Sequence, residues 1–281
     1  LTGGRPNFLT KSLRWYGVEP ESDIARNALP SRFRDAGYRT SFLQSADLAY
    51  MRKHLVLPRL GFETLKGAES WSDAYSVSGW GVDDRTLFEI TLEHIDGLEG
   101  DAPWFVSVLT AGTHAPYNVP SELTNDRPAT RTDALAYLDS AIGVLIEGLE
   151  QRGLLEETVV ILTSDESRER SFENPILDYM YLYWLPLIIL HPDGIDAEVD
   201  TFLASTDFPE IVSAFVGDAN IEALRDRPAN ETPLVFGNLH TKQLFYFSPQ
   251  REEFFMCRLP HFECALYNIV DDPLEMQLVD P

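Results

Sequence analysis

Trp104-Phe105-Val106-Ser107-Val108-Leu109, followed at once by Thr110-Ala111-Gly112-Thr113-His114-Ala115-Pro116-Tyr117, is the stretch on which the fold turns. Six residues, all aromatic or aliphatic but for Ser107, read as a short buried strand, and the Gly and Pro that follow end it in a loop. Val159-Val160-Ile161-Leu162-Thr163 repeats the pattern and runs into Ser164-Asp165-Glu166-Ser167-Arg168. Between these strands lies a helical period over 133–152. Leu135, Leu138, Ile142, Leu145, Ile146 and Leu149 form one stripe, and Gly153 stops it. Shorter helical patterns cover 84–95 (capped by Asp83 or Asp84), 27–36 (ended by Gly37) and 207–216 (Pro209 in the first turn). Further strand candidates are 39–43, 187–190, 234–237, 244–247 and 266–269.

Strands alternating with helices predict a layered α/β/α fold with a largely parallel, mixed central sheet. No turn-rich pause is long enough to force a boundary, so one domain over 1–281 is expected. In such sheets the chemistry gathers at the carboxyl ends of the strands. That rule points at the residues after Leu109 and after Thr163.

Asp165 and Glu166 are hard oxygen donors at a strand end, the layout of a Mg²⁺, Mn²⁺ or Ca²⁺ site. A strand-to-loop turn with solvated charges gives the same pattern. His114 could bind an anion or move a proton, and equally could be a structural imidazole bonding a loop carbonyl. Arg52, past the 39–43 strand, could clamp a phosphate or sulfate bidentately, or be a plain surface Arg. His54, His94, His191, His240 and His261 have no partner at ligand spacing.

The chain holds 281 residues with a formal charge of −23, which argues against nucleic-acid binding, because phosphate backbones demand Lys/Arg surfaces. An anionic substrate would have to be drawn in by a local basic pocket against that field. A 44% apolar share with 11% aromatics excludes wholesale disorder. The longest apolar run, 179–190, is broken by Pro186 and is too short to span a bilayer. Leu1 opens on Thr2-Gly3-Gly4 with no signal-peptide pattern. Cys257 and Cys264 sit seven apart, so a disulfide and two free thiols both remain open.

Several segments, in order, resemble the sulfatase-like part of the alkaline phosphatase superfamily, and within it the lipoteichoic acid synthase and phosphoglycerol transferase branch. They are Leu1-Thr2-Gly3, Ala28-Leu29-Pro30 with Gly37-Tyr38-Arg39-Thr40, Gly79-Trp80-Gly81-Val82-Asp83, and Thr113-His114-Ala115-Pro116-Tyr117. Thr163-Ser164-Asp165, Thr206-Asp207-Phe208-Pro209, and Leu266-Tyr267-Asn268 with Asp272-Pro273-Leu274-Glu275 continue the series. The resemblance implies an alkaline-phosphatase-like fold and a metal-dependent phosphoester or sulfoester hydrolase or transferase working through a covalent nucleophile. Phosphoglycerol-type transfer is slightly favoured over sulfate hydrolysis. Carried over by position, Asp165 would be a metal ligand and His114 would face the anionic group or leaving oxygen. Tyr50 and Arg52 would hold the substrate head. The loops of Asp165 and His114 should then converge on one pocket. The substrate would be an anionic phosphate or sulfate ester, lipid- or glycan-linked. The setting would be periplasmic or extracytoplasmic, with a membrane tether from upstream helices.

Two departures stand out. Glu166 replaces the family's His after the Asp, which hardens the site toward Mg²⁺ or Mn²⁺ if Glu166 binds. The family's nucleophile and a further metal carboxylate precede the segment resembled by Leu1-Thr2-Gly3. The expectation is therefore an incomplete amino-terminal part, weak metal binding, an inactive fragment, and self-association over an uncovered sheet face. The alternative is a catalytically inactive module that binds an anionic glycan or lipid head group.

Overall fold

Arg39–Gln44 (β1) is the middle strand of a three-stranded sheet, and every residue in it after Arg39 is buried. Side chains alternate across a strand, so Phe42 and Leu43 face opposite ways. Phe42 packs with Ala25, Ala28, Leu48, Leu57, Leu60 and Phe62, whereas Leu43 packs with Val82 and Leu87. A strand buried on both faces needs cover on both, the signature of a parallel sheet in an α/β layer. Thr64–Lys66 (β2) and Trp104–Leu109 (β5) flank β1, and both pairs are parallel. The β1–β5 register runs from Arg39 opposite Trp104 to Gln44 opposite Leu109, so both strands end at one edge. A two-residue hairpin, Val77–Ser78 (β3) and Gly81–Val82 (β4), crosses that edge. The expected α/β class with a parallel central sheet is observed.

The computed structural model describes residues 23–71, 74–98, 100, 102–165, 185–194, 207–216, 234–238, 243–248, 253–258, 263–268 and 277–278. Described residues up to Glu157 form one compact unit, and those from Thr158 onward form another.

The helix expected over 27–36 is two helices, Asp23–Asn27 (α1) and Leu29–Asp35 (α2), with Ala28 extended between them at φ −63°, ψ 139°. Pro30 is the cause: it lacks an N–H and its ring clashes with a carbonyl one turn back, so it can sit only in a first turn. Asp84–Asp96 (α3) buries Leu87, Phe88, Leu92 and Ile95, as its period demands. Arg131–Gln151 (α4) starts two residues before the expected helix, because Thr130 and Asp133 form a reciprocal capping box. Its inward line is Ala134, Tyr137, Ala141, Leu145, Gly148 and Leu149, while Leu135 is exposed. Small residues define the contact with α3: a Cβ at Gly148 would collide with the Leu92 side chain. Arg152 closes the helix pair with two bonds to Asp96, at 2.7 and 2.8 Å.

In the second unit, Val160–Thr163 (β6) pairs antiparallel with Leu187–Leu190 (β7). Leu234–Asn238 (β8), Gln243–Ser248 (β9), Glu253–Arg258 (β10), Glu263–Asn268 (β11) and Gln277–Leu278 (β12) make a five-stranded sheet in sequence order. Its register pairs are antiparallel. Phe208–Val216 (α5) is the helix expected around Pro209. Phe245, Phe247, Phe254, Met256 and Tyr267 alternate inward. Strand β10 was not anticipated, since Glu253 and Arg258 dilute its apolar run.

Cys257 and Cys264 lie directly opposite each other on β10 and β11 and form a disulfide. The question left open by their spacing is thereby closed. Loop-closure entropy for seven intervening steps corresponds to about 2 kcal/mol. Replacing both cysteines with serine is expected to lower unfolding stability by that order, read from denaturant midpoints at unchanged m-value.

Candidate active site at the carboxyl edge of the sheet

Three loops meet where β1 and β5 end. After β1 the chain passes Ser45, Tyr50 and Arg52. After β5 it passes Ala111, Gly112 and His114. The β3–β4 hairpin carries Trp80 at its tip. Ser45 N–H donates to the Leu109 carbonyl at 3.2 Å and Val82 N–H to the Ser45 carbonyl at 3.3 Å, so all three are tied at their roots. Gly81 is required here, at φ +101°, because a Cβ would sit on the Ser45 carbonyl oxygen.

The outcome is an aromatic corner. The Trp80 indole lies 4.2 Å from the His114 ring, centroid to centroid, and meets the edge of Tyr50 at 5.7 Å and 84°. Trp80 Nε1 donates to the Ala115 carbonyl at 3.0 Å. His114 Nδ1 is 2.7 Å from the same oxygen. A carbonyl can only accept, so Nδ1 carries the proton and Nε2 keeps its lone pair for a ligand. His114 and Tyr50 are exposed. Arg52 is exposed too, at φ +56° beside Met51 at φ +56°. Two non-glycine residues in that region are uncommon and are held by surrounding bonds, here Arg52 N–H to the Ala49 carbonyl at 2.9 Å.

The corner is fixed from behind by the first turn of α3. Asp83 is fully buried and accepts four hydrogen bonds. They come from Thr86 N–H (3.0 Å), Thr86 Oγ1 (2.7 Å), Ser76 N–H (2.9 Å) and Tyr137 OH (2.7 Å). Burial, then the bond to the Asp83 carboxylate, holds the Tyr137 phenol well above its usual range. Asn118 joins the loops directly, accepting from Ser76 Oγ at 2.7 Å and donating to the Gly81 carbonyl at 2.9 Å.

Asp84 is also fully buried, and its Oδ1 accepts from Gly112 N–H (3.0 Å) and Ala111 N–H (3.3 Å). Among the described residues its Oδ2 has no hydrogen-bond partner. Burial pushes its carboxyl up to about 6, opposed by the two backbone donors and assisted by the neighbouring Asp83 charge.

Of the residues picked from sequence, His114 and Tyr50 are brought together through Trp80, and Arg52 lies two positions from Tyr50 on the same loop. Asp165 belongs to the second unit, exposed just beyond the end of β6. Glu166 lies outside the described residues. Among the described residues no three His, Cys, Asp or Glu side chains group as a metal's ligands. Asp165 is one donor, and a hard divalent cation takes about six, so the described residues do not make up a cation's ligand set. Trp80, Asp83, Asp84 and Asn118 were not foreseen as site residues. The available signal was Gly79-Trp80-Gly81, an aromatic residue on a glycine turn, with only Val82 before two adjacent carboxylates.

A short-stranded parallel sheet with helices on its faces and a carboxyl-edge site defines an alkaline-phosphatase-type α/β fold. The comparisons agree: the Sulfatase family matches residues 4–217, and the chain belongs to that family. It is similar to the capsular polysaccharide biosynthesis protein RkpI of Rhizobium meliloti, at 28% identity over 43% of this chain and 23% of that protein. It is similar to phosphoglycerol transferase I of Salmonella arizonae, at 26% identity over 47% of this chain and 19% of that protein. The matches thus span about a fifth of these relatives' lengths.

Among solved structures, a Vibrio parahaemolyticus protein of the alkaline phosphatase superfamily superposes with a TM-score of 0.76 at 18% identity, covering 94% of this chain and 67% of that one. The lipoteichoic acid synthase LtaP of Listeria monocytogenes superposes at 0.66 and 15% identity, covering 93% and 71%. The zinc complex of the C-terminal periplasmic domain of EcEptC from Escherichia coli gives 0.56 at 14% identity, covering 74% and 68%. The family match and the superpositions together give a Sulfatase-family chain with an alkaline-phosphatase-like fold, similar to phosphoglycerol transferase I in sequence and to a lipoteichoic acid synthase in fold.

The buried carboxyl yields a pH prediction. Asp84 holds its proton more tightly folded than unfolded, so its contribution is full below about pH 4 and is lost as pH rises through about 6. The loss amounts to roughly 3 kcal/mol. Asp84→Asn should remove that share of the slope between pH 4 and 6 in denaturant titrations. An unchanged slope would place the proton elsewhere.

Proposed function

We propose that this chain carries the substrate-facing half of a phosphoester or sulfoester hydrolase or transferase, with phosphoglycerol-type transfer ahead of sulfate hydrolysis. The observation that carries the reading is the Tyr50–Trp80–His114 corner at the carboxyl edge of a sulfatase-family sheet. The similarity to phosphoglycerol transferase I and to a lipoteichoic acid synthase supports the transferase preference.

Each group has a stated task. The Arg52 guanidinium, with no hydrogen-bond or ion-pair partner among the described residues, offers a planar fork to two oxygens of the tetrahedral anion. Tyr50 and Trp80 present ring faces and edges to the CH groups of a glycerol or sugar. His114, protonated on Nε2 from solvent, donates to the ester's leaving oxygen as the bond to phosphorus or sulfur breaks. That oxygen takes both the bonding electron pair and the proton. Nδ1 stays bonded to the Ala115 carbonyl throughout, which keeps the ring aimed. The attacking group in this reading lies amino-terminal to Leu1. A divalent cation, when bound, would acidify that nucleophile and neutralise charge on the anion; Asp165 and Glu166 are the ligands proposed in this chain. The disulfide and the periplasmic setting of a structural neighbour support an extracytoplasmic location, with a membrane tether. A second reading, favoured by Glu166 where the resemblance has His, is a non-catalytic module binding an anionic glycan or lipid head group.

Full-length protein assayed on an aryl phosphate, an aryl sulfate and phosphatidylglycerol should turn over at least one. Turnover should fall about 10²–10⁴-fold in His114→Ala, the range for losing a proton donor or charge-stabilising group. Near-wild-type rates would make His114 structural. Calorimetric Mn²⁺ titration should show binding that Asp165→Ala abolishes. Affinity no better than millimolar, with no turnover on any ester, would favour the binding module.

A further inference from the structure

The corner depends on two rings from different loops lying 4.2 Å apart, yet no hydrogen bond runs between them. The rings share one acceptor, the Ala115 carbonyl, which the His114 loop itself carries, so where that loop sits is set further down, at the loop roots. On the Trp80 side the roots are Ser76, which donates to Asp83, and the Gly81 carbonyl, which accepts from Asn118. On the His114 side the root is 111–112, where the chain leaves β5. Both backbone N–H groups there point at one oxygen, Asp84 Oδ1. His114 N–H in turn donates to the Ala111 carbonyl at 3.1 Å, and Asn118 N–H to the Gly112 carbonyl at 3.2 Å. Displacing 111–112 therefore displaces the start and the end of the His114 loop together. Gly112 is the residue that permits the approach, since a Cβ would collide with Asp84 Oδ2.

We propose that Asp84 is a positioning residue: through Oδ1 it fixes the 111–112 segment and thereby sets the His114 ring against Trp80. It touches no substrate. The two adjacent carboxylates at the start of α3 divide the work, Asp83 holding the Trp80 hairpin and Asp84 the His114 loop. One helix turn so aligns both halves of the corner. A buried carboxyl whose second oxygen has no partner among the described residues is costly, and an alignment duty gives that cost a use. The acceptor role needs only an sp² oxygen at Oδ1, so an amide should serve as well as a carboxylate, and a methyl should not. The consequence for turnover rests on the ester-cleaving reading above, whereas the geometric claim does not.

The test separates the two. In the full chain with ¹³C-labelled histidine, the His114 ring signals, assigned by their loss in His114→Gln, should carry an upfield ring-current shift from Trp80. Trp80→Leu defines that shift by abolishing it. Asp84→Ala should lose most of it, and Asp84→Asn should keep it. If Asp84→Ala leaves the His114 signals where they are in wild type, the proposal is overturned.

Should Asp84→Ala fail to fold, the wild-type Gly112 amide decides. It should titrate with a midpoint near 6 and stop doing so in Asp84→Asn. Asp83 and Tyr137 are the other titratable groups facing Asp84, and both remain in that variant. A Gly112 amide indifferent to the Asn substitution also overturns the proposal. On an ester the wild type cleaves, kcat should fall ten- to a hundredfold in Asp84→Ala and recover in Asp84→Asn, with KM little changed, as expected for misaligning a reacting group. No turnover of any ester by wild type would count against the functional reading alone, because the ring-current result stands without it.

Discussion

The first unit depends on a buried carboxylate. Asp83 gives up all contact with water, a step that costs several kcal/mol for an isolated charge. Four donors from three segments replace that water. Hydrogen bonds to a charged group contribute about 1.5–3 kcal/mol each, so the exchange is favourable only when the set is complete. Completeness is what couples the segments. The cap of α3, the Trp80 hairpin and the Tyr137 turn of α4 must be in place together or the charge is stranded.

That coupling explains why the carboxyl edge can hold an open, aromatic, solvent-facing corner without collapsing it. Tyr50 and His114 are exposed and contribute little burial of their own. Their positions come from below, through backbone bonds at Ser45, Ala111 and Gly112 and through the closely fitted glycines at 81 and 112. A rigid floor under mobile-looking side chains is how loop residues acquire defined chemistry.

The electrostatics are uneven in a way that suits a selective anion site. The chain carries −23 overall, yet Arg52 and Lys53 are consecutive in the loop after β1, with Lys53 Nζ donating to the side-chain Oε1 of buried Gln44 at 2.7 Å. Under the proposed function, the global field would slow approach of an anion, and discrimination would rest on oxygen placement at the cations and on what the Tyr50 and Trp80 rings can cover.

Much of the architecture was legible in the residues. The strands at β1, β5 and β9, helix α3 and the carboxyl-edge location all follow from period, length and Gly or Pro punctuation, which are local properties. His114 was legible as a candidate because its loop follows a strand, whereas Tyr50 was reached only through the family resemblance. The break at Pro30 is equally local, and the expected 27–36 helix overlooked it. Three things were decided only in three dimensions. The small residues Ala141 and Gly148 turned α4 onto α3, and Cys257 found Cys264 through strand register. The third is the alignment of Trp80 with His114 by Asp83 and Asp84. Sequence determines which side chains can bury, bond or turn. Only packing brings residues 27 to 54 positions apart within hydrogen-bond reach, because that proximity belongs to the crossing of strands and helices and to no single stretch of chain.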